Sequence, residues 1–272
     1  MSLRFAVYGL PDKDYLEKIA SLRELDMVEE IYYEEKIAEK IGCEGCSIEK
    51  FNEEDLDFVM CVGGDGTILR LMQFVDKPVL GVNTGTLGFL TTIEISKVEY
   101  ALNKIEQNDY FVDRRMKLDI FLNGEKCGEC LNEVVIHSDK VAKLREIKII
   151  QGQTEVDHFR GDGIIISTPT GSTSYSLSSG GPIVDPQLDV FLSVPIASFD
   201  LDAKPYVLPS ERSIKVDMKN EDKACLMVLD GQGEFKVEST DDIEVRKSKS
   251  KAEFIRFERD FHERVKKKLV SR

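Results

Sequence analysis

Residues 57–72 read DFVMCVGGDGTILRLM, and this stretch decides the fold of the first part of the chain. The apolar run 57–62 predicts a buried strand that ends abruptly in Gly63-Gly64-Asp65-Gly66. Apolar side chains then recur at helical spacing, so we expect a helix that Thr67 caps. A buried strand that passes through a glycine-rich turn into a helix is typical of a doubly wound α/β sheet.

The sequence on either side repeats this alternation of strand and helix. Strands are predicted at 3–9 and 78–82, and a helix at 34–41 is ended by Gly42. Ser96 and Glu99 form a capping-box pair ahead of another helix. We therefore predict an α/β domain over residues 1–113, with a doubly wound, mostly parallel sheet.

From residue 114 the apolar pattern changes to a period of two, which is typical of antiparallel strands. Leu118, Ile120 and Leu122 alternate with other residues, Asn123-Gly124 predicts a hairpin turn, and a second strand follows through 131–136. Further short strands are predicted at 147–150, 164–167, 214–218, 225–229, 243–245 and 254–257. These strands indicate a β-rich domain over 114–248, and a helical C-terminal segment, 249–272, is expected to return to the first domain.

Charge and composition exclude several classes of function. The 272 residues carry 37 Lys and Arg against 50 Asp and Glu, a net charge of −13, which argues against a broad nucleic-acid-binding face. No apolar run reaches the ~18 residues of a membrane span, and the first residues lack the pattern of a secretory signal. We expect a cytoplasmic protein. Of the two C-x-x-C pairs, the one at 127–130 lies in a predicted strand, where residues three apart point to opposite faces, which argues against a four-sulfur zinc site. A zinc or redox role at 43–46 and ordinary thiols both stay open.

The Gly63–Gly66 turn has the composition of a phosphate loop. Its glycines let the backbone approach a ligand closely, and the following helix offers N–H groups to phosphate oxygens. A carboxylate there, Asp65, repels phosphate unless a divalent cation intervenes or the carboxylate accepts a proton. The turn therefore indicates chemistry as well as anion binding, although a tight turn with an Asp cap is the structural alternative.

Residues 161–182 read GDGIIISTPTGSTSYSLSSGGP. After the strand at 164–167, the stretch 168–182 contains small and hydroxyl residues and no charged side chain. Such a segment can surround a sugar or an amide with hydrogen-bond donors and acceptors. A flexible linker is the alternative, but a linker seldom begins with a buried strand.

The chain closely resembles the NAD kinase family over nearly its whole length. The motifs that carry the resemblance are GGDGT at 63–67, NTGTLGF at 83–89, LNEVVI at 131–136, GDGIIISTPTGSTSYSLSSGGP at 161–182 and PIASFDLDAKPYVLP at 195–209. The resemblance implies ATP-dependent phosphorylation of the adenosine 2′-hydroxyl of NAD to give NADP, in a cleft between an α/β and a β-rich domain. It also implies a divalent cation such as Mg²⁺ and a homodimer or homotetramer. ATP and polyphosphate both stay open as donors.

The resemblance assigns expected roles to particular residues. Asp65 matches the family's catalytic aspartate, and Gly66 is its dinucleotide-binding neighbour. Asn132 and Glu133 match the pair that holds ribose hydroxyls, and Asp162 matches a residue at the nicotinamide end. Phe89 resembles an adenine-side aromatic residue. The matching dinucleotide-binding segment contains Thr173, Ser174, Tyr175, Ser176, Leu177 and Ser178, and further contacts are implied at Arg70, Lys143, Arg160, Ala197 and Gln232.

Several alternatives remain at this point. Many bacterial members carry Pro-His where this chain has Ser198 and Phe199, which leaves the nearby contacts open. Arg70, Lys143 and Arg160 are alternatively surface charges, and Phe89 is alternatively a core residue. A lipid or sugar kinase with the same glycine-rich turn and a non-catalytic NAD(P)-binding sensor are the rival functions.

Overall fold

A computed structural model describes residues 2–11, 13–85, 87–139, 144–219 and 224–270. The chain divides into two compact units. Unit 1 consists of Met1–Arg114 together with Ala252–Arg272, and unit 2 consists of Arg115–Lys251. The predicted return of the C-terminal segment to the first unit is therefore confirmed.

Unit 1 is built on a parallel sheet, as the sequence predicts. Its strands run in the order β2, β1, β3, β4, and the short strand β5 and the end of the last strand of the chain both pair with β4. The N-terminal elements are β1 (Leu3–Gly9), α1 (Lys13–Ser21), β2 (Val28–Tyr33), α2 (Glu35–Ile41), α3 (Lys50–Glu53), β3 (Phe58–Val62), α4 (Asp65–Leu71), β4 (Val79–Asn83), β5 (Ile93–Glu94) and α5 (Val98–Glu106).

The core of unit 1 forms where helices cover the apolar sheet. The rings of Phe5 and Phe58 stack at 4.9 Å between centroids, which joins β1 to β3. Ile19 of α1 and Leu102 of α5 are fully buried in the same cluster. All of β3 is buried, so its carboxyl end, where Gly63 follows, is held in a fixed position.

Two predicted helix caps are wrong. Helix α4 begins at Asp65 with Gly64 as its N-cap, so Thr67 lies inside the helix. Its side chain instead packs against Gly63. The capping box of Ser96 and Glu99 is not formed either, because a 3₁₀ turn over Ile95–Lys97 leads directly into α5.

Unit 2 consists of two antiparallel sheets. The elements are β6 (Phe111–Leu122), β7 (Glu125–Cys130), β8 (Glu133–Ser138), β9 (Arg145–Gln151), β10 (Thr154–Gly161), β11 (Gly163–Ser167), α6 (Tyr175–Ser178), β12 (Val190–Ile196), β13 (Tyr206–Pro209), β14 (Ile214–Lys219), β15 (Cys225–Leu229), β16 (Gly233–Val237) and β17 (Ile243–Arg256). One sheet has the order β10, β9, β14, β17, with β6 paired to β17 and β7, and the other has the order β13, β12, β11, β8, β15, β16. Helix α7 (Phe261–Val265) follows β17 and belongs to unit 1.

The predicted period of two is confirmed in unit 2, with two corrections of connectivity. Asn123 and Gly124 have φ angles of 52° and 85° and form the predicted hairpin turn. The turn joins β6 to β7, and the strand expected at 131–136 is a separate strand that begins at Glu133. The strands expected at 243–245 and 254–257 are one continuous strand, β17.

Neither C-x-x-C pair shows a metal site. The cysteines of both pairs are free thiols, and the described ranges contain no group of three or more His, Cys, Asp or Glu side chains placed to hold a metal ion. Burial raises the pKa of the Cys43 and Cys46 thiols, which disfavours the reactive thiolate. Within the same ranges, no helix combines the length and apolar character needed to cross a bilayer.

Candidate active site

Asp65 lies at the start of α4, directly beyond the carboxyl end of β3, and is half-buried. Its Oδ2 accepts a hydrogen bond from the backbone N–H of Phe89 at 2.7 Å. Its Oδ1 accepts from the N–H groups of Leu90 at 3.0 Å and Thr91 at 3.3 Å. Unit 1 therefore brings Asp65 and Phe89 together and fixes the carboxylate by three backbone donors.

The glycines around Asp65 have different structural roles. Gly63 has a φ of 151°, and a β-carbon at that position would lie 2.5 Å from Thr67 Oγ1, so only glycine fits. At Gly64 and Gly66 an added β-carbon would have no neighbour within 4 Å among the described residues. The backbone beside Asp65 is thus open to close approach by a ligand, as the sequence predicts for a phosphate loop.

Two further residues that the family resemblance assigns to the site, Arg70 and Phe89, lie in unit 1 near the Gly63–Gly66 turn. Arg70 is exposed on α4, and its charge partly offsets the burial that raises the pKa of Tyr8. Phe89 is half-buried, with its ring centroid 6.4 Å from that of Phe261 and the Lys268 ammonium 5.1 Å from the same centroid. Phe89 is therefore not a residue of the buried core.

Asn132 and Glu133 are buried at the start of β8 and are held by an acidic residue that the sequence did not single out. The carboxylate of Asp230 accepts hydrogen bonds from the backbone N–H groups of Leu131 at 2.7 Å, Asn132 at 2.8 Å and Glu133 at 3.0 Å. The backbone N–H of Asp230 in turn donates to the Glu133 carbonyl at 3.0 Å. This exchange fixes the backbone from which both side chains project.

Burial raises the pKa of the Glu133 carboxyl to about 7. The Ser174 hydroxyl donates to Glu133 Oε1 at 2.9 Å, and this bond and the Tyr175 backbone N–H lower the pKa in part, while the Asp230 carboxylate raises it. Burial also raises the pKa of Asp230 to about 6, against the opposing effect of its three N–H donors. Unit 2 thus contains two carboxyl groups with raised pKa values, those of Glu133 and Asp230, at the segment 131–133.

The hydroxyl-rich segment packs on the backbone of Asn132. A β-carbon at Gly171 would lie 2.5 Å from the Asn132 carbonyl oxygen, so the approach requires glycine. Three buried oxygens at this place, Glu133 Oε2, Thr170 Oγ1 and Ser176 Oγ, have no hydrogen-bond partner among the described residues. Buried polar atoms in this state are candidates for ligand contacts. The predicted segment forms a 3₁₀ turn and the short helix α6, in which Thr173, Ser174 and Leu177 are half-buried, Ser176 is buried, and Tyr175 and Ser178 are exposed.

Arg160, Asp162 and Ala197 lie close together at the ends of neighbouring strands. The Asp162 N–H donates to the carbonyl of Ile196, one residue before Ala197, which has a φ of 44°. Arg160 is exposed, forms an ion pair with Asp200 at 2.9 Å, and stacks over the ring of Phe199 at 4.9 Å. Phe199 thus contacts Arg160 directly.

The remaining predicted contacts have less structural definition. Gln232 is exposed in the turn that follows Asp230, and its N–H donates to the Leu229 carbonyl at 2.8 Å. Lys143 lies outside the described residues. Asp230 itself was missed, and the only sequence feature at its position is the Asp-Gly pair of a turn.

Comparisons with known proteins agree over most of the chain. The model of the ATP-NAD kinase N-terminal domain matches residues 11–110, and that of the ATP-NAD kinase C-terminal domain matches residues 131–257. An NAD kinase of Methanothermobacter thermautotrophicus is 41% identical over 225 residues, which are 82% of this chain and 79% of that protein. An NAD kinase of Thermoplasma volcanium is 37% identical over 238 residues, 88% of this chain and 86% of that protein.

Two solved structures also match this chain. A crystal structure of an NAD kinase from Archaeoglobus fulgidus in complex with ATP matches with a TM-score of 0.80 and 32% identity, covering 96% of each chain. Yeast NADH kinase complexed with NADH matches with a TM-score of 0.87, covering 99% of this chain and 87% of that one. At 21% identity, the yeast match shows the shared fold alone.

Proposed function

This chain belongs to the NAD kinase family, and on that premise we propose that Asp65 is its catalytic carboxylate. The reaction is phosphoryl transfer to NAD. In its detailed form, the γ-phosphoryl group of ATP passes to the adenosine 2′-hydroxyl of NAD and gives NADP, while Asp65 accepts or orients the proton of that hydroxyl. The observation that carries this proposal is that three backbone N–H groups hold the half-buried carboxylate of Asp65 in place.

Asp65 retains room for a substrate. An ionised carboxylate offers about four lone-pair positions, and backbone N–H groups occupy three of them. The residue is half-buried, and we assign the fourth position to the substrate hydroxyl. A carboxylate that is already oriented needs little reorganisation when it accepts the proton of the hydroxyl.

The residues of unit 2 have the chemistry of a ribose and amide site. Asn132 supplies an amide, and Glu133 supplies a carboxylate with one oxygen that has no hydrogen-bond partner in the described part of the chain, so together they present donors and acceptors to adjacent hydroxyls. The hydroxyls of Thr170 and Ser176, for which the described residues likewise provide no partner, support further polar contacts in the same segment. We assign dinucleotide binding to this segment.

Phosphoryl transfer also requires that charge on the transferring oxygens be neutralised. Mg²⁺ commonly binds through one or two carboxylates together with substrate phosphates and water, so it needs no closed cage of side chains. The single acceptor position left on Asp65 is assigned to the substrate hydroxyl, so such a cation would be held by the donor phosphates and water and would supply charge neutralisation when bound. The open backbone at Gly64 and Gly66 supports contact with the donor phosphates. The magnesium requirement, the homo-oligomer and the cytoplasmic location stay predictions of the family resemblance.

The experiment that tests this function is incubation of the purified protein with NAD, ATP and Mg²⁺, followed by an NADP-specific dehydrogenase readout. We expect NADP to accumulate in proportion to enzyme concentration. Parallel reactions replace ATP with polyphosphate, NAD with NADH, or NAD with diacylglycerol, and so define donor and acceptor. NADP binding without NADP formation would favour the sensor, and phosphorylation of diacylglycerol alone would favour the lipid kinase.

A further inference from the structure

The turn formed by residues 88–91 has no regular secondary structure, yet its N–H groups are all used. The N–H of Gly88 donates to Thr91 Oγ1 at 2.6 Å. The next three N–H groups, those of Phe89, Leu90 and Thr91, donate to Asp65. Position 65 is therefore held by a segment that needs support from elsewhere to keep its shape.

Two buried arginines near the C-terminus provide that support by binding the carbonyl oxygens of the 88–91 turn. Arg264 of α7 donates through Nη1 to the Gly88 carbonyl at 2.9 Å and also to the Thr91 carbonyl. Arg256, at the end of β17, donates to the Thr91 carbonyl at 2.7 Å and to the Phe89 carbonyl at 3.2 Å. The two side chains are 8% and 4% exposed, and each guanidinium also faces a carboxylate, Arg264 that of Asp260 at 2.6 Å and Arg256 that of Asp113 at 3.7 Å, so each is held on two sides.

Two of these four contacts lie at one end of a peptide group whose other end binds Asp65. The Gly88 carbonyl and the Phe89 N–H belong to one peptide group, with Arg264 at its oxygen and Asp65 at its nitrogen. The Phe89 carbonyl and the Leu90 N–H belong to the next, with Arg256 at its oxygen and Asp65 at its nitrogen. Two successive peptide groups thus connect the carboxylate to two guanidinium groups, and hydrogen bonds in such a chain polarise one another.

We propose that Arg256 and Arg264 are positioning residues for the phosphoryl-transfer reaction. They fix the peptide groups of the 88–91 turn and, through them, the orientation of the Asp65 carboxylate. This inference rests on the proposed role of Asp65. It makes the C-terminal helix α7 part of the catalytic apparatus, although Arg264 lies 176 residues beyond Gly88 in the sequence.

The test compares Arg264→Ala and Arg264→Lys with Lys267→Ala, an exposed cation that follows α7. We expect Arg264→Ala to lower kcat at least tenfold while the KM for NAD changes less than about threefold, because orientation of the carboxylate is lost and NAD binding is not. Arg264→Lys is expected to recover part of kcat, since an ammonium donates to carbonyls without the planar fork. Lys267→Ala is expected to keep wild-type values.

Amide hydrogen exchange supplies a readout of the turn that does not depend on catalysis. In Arg264→Ala, a peptide covering residues 88–92 is expected to exchange faster, whereas a peptide of the buried strand β3 is unchanged. Asp65→Ala is expected to expose the same three amides. If Arg264→Ala does not fold, Arg264→Lys carries the same comparison, with intermediate changes in both kcat and exchange.

The outcomes separate this inference from the proposed function. A folded Arg264 variant with kcat within twofold of wild type, or with unchanged exchange at 88–92, overturns the inference. In the Asp65→Asn background, Arg264→Ala is expected to add less than about twofold, because it acts through Asp65. A full multiplicative loss there also overturns it. If Asp65→Asn alone keeps wild-type kcat, the proposed role of Asp65 fails, whereas the exchange experiment still reports whether Arg264 holds the turn.

Discussion

Gly88 lies so close to Asp65 that a β-carbon on residue 88 would stand 1.9 Å from Asp65 Oδ1. No side-chain adjustment relieves this contact while the carboxylate keeps its three N–H bonds, because all of its heavy atoms beyond Cβ would lie within 2.7 Å of the new atom. The glycine of the NTGTLGF motif is thus required by the carboxylate of the GGDGT motif. The two motifs form one structural device.

Gly88→Ala is accordingly expected to displace the Asp65 carboxylate and to lower kcat by about 10- to 100-fold. The KM for NAD should change much less, because the groups assigned to ribose binding lie in unit 2. Steady-state kinetics with varied NAD measure both values. Gly233→Ala is the matched control, since its added methyl group would meet only Phe235, at 3.6 Å. A Gly88→Ala enzyme with wild-type kcat would show that the orientation of Asp65 does not matter.

The raised pKa of Glu133 gives stability a defined dependence on pH. Its pKa is about 7 in the folded protein and near the ordinary 4.5 in the unfolded chain, so the folded state binds an additional proton between these values. This contribution to the free energy of unfolding is fully present below the unfolded pKa and is lost as the pH rises through about 7. Glutamine has the same shape but no charge to bury.

We therefore expect the free energy of unfolding of Glu133→Gln minus that of wild type to increase by about 2–3 kcal/mol as the pH rises from about 5 to about 8. Denaturant unfolding across this range measures the difference. Glu125→Gln, at an exposed position of the same unit, is the control for the loss of a surface carboxylate. A constant difference for Glu133→Gln would mean that the buried carboxyl does not titrate in this range.

Asp230→Asn tests how the Asn132-Glu133 pair is held. The variant has one acceptor oxygen where three N–H groups converge, and its amide NH₂ would face a donor. We expect the Kd for NAD to rise about tenfold and the free energy of unfolding to fall by about 1–3 kcal/mol. Asparagine tolerates the positive φ of 48° at this position, so the backbone conformation is not the cause of the loss.

Calorimetric titration with NAD and denaturant unfolding measure these two effects. Asp241→Asn removes the same charge from an exposed turn of unit 2 and serves as the control. An Asp230→Asn protein that binds NAD as wild type does would show that the pair keeps its geometry without this carboxylate.

The sequence predicted those features that depend on local patterns. The apolar run before Gly63 and the alternation around Leu118 were sufficient for the parallel sheet of unit 1 and the antiparallel strands of unit 2, because periodicity reports which face is buried. Local patterns were less reliable for helix caps. Thr67 and Ser96 have the side chains of caps, but packing against Gly63 and a 3₁₀ turn took precedence.

The groups that hold the candidate site could not be predicted in this way. Asp230 lies 98 residues from Asn132, and Arg256 lies 167 residues from Phe89. Contacts between residues so far apart in the chain produce no periodic pattern in a single sequence. The sequence also does not distinguish a buried arginine from an exposed one. The family resemblance predicts which side chains contact the substrates, whereas the structure is needed to identify the residues that fix their backbone.

The most direct test of the account is the kcat for NADP formation by Asp65→Asn, measured beside Asp55→Asn. Asp55 is 97% exposed in the same unit, so the control removes one carboxylate charge far from any tight packing. We predict that Asp65→Asn lowers kcat by about 10²- to 10⁴-fold in a protein that still folds and binds NAD, whereas Asp55→Asn keeps wild-type turnover. A smaller loss would indicate orientation or cation binding in place of proton transfer. Near-wild-type turnover of Asp65→Asn would contradict the central claim.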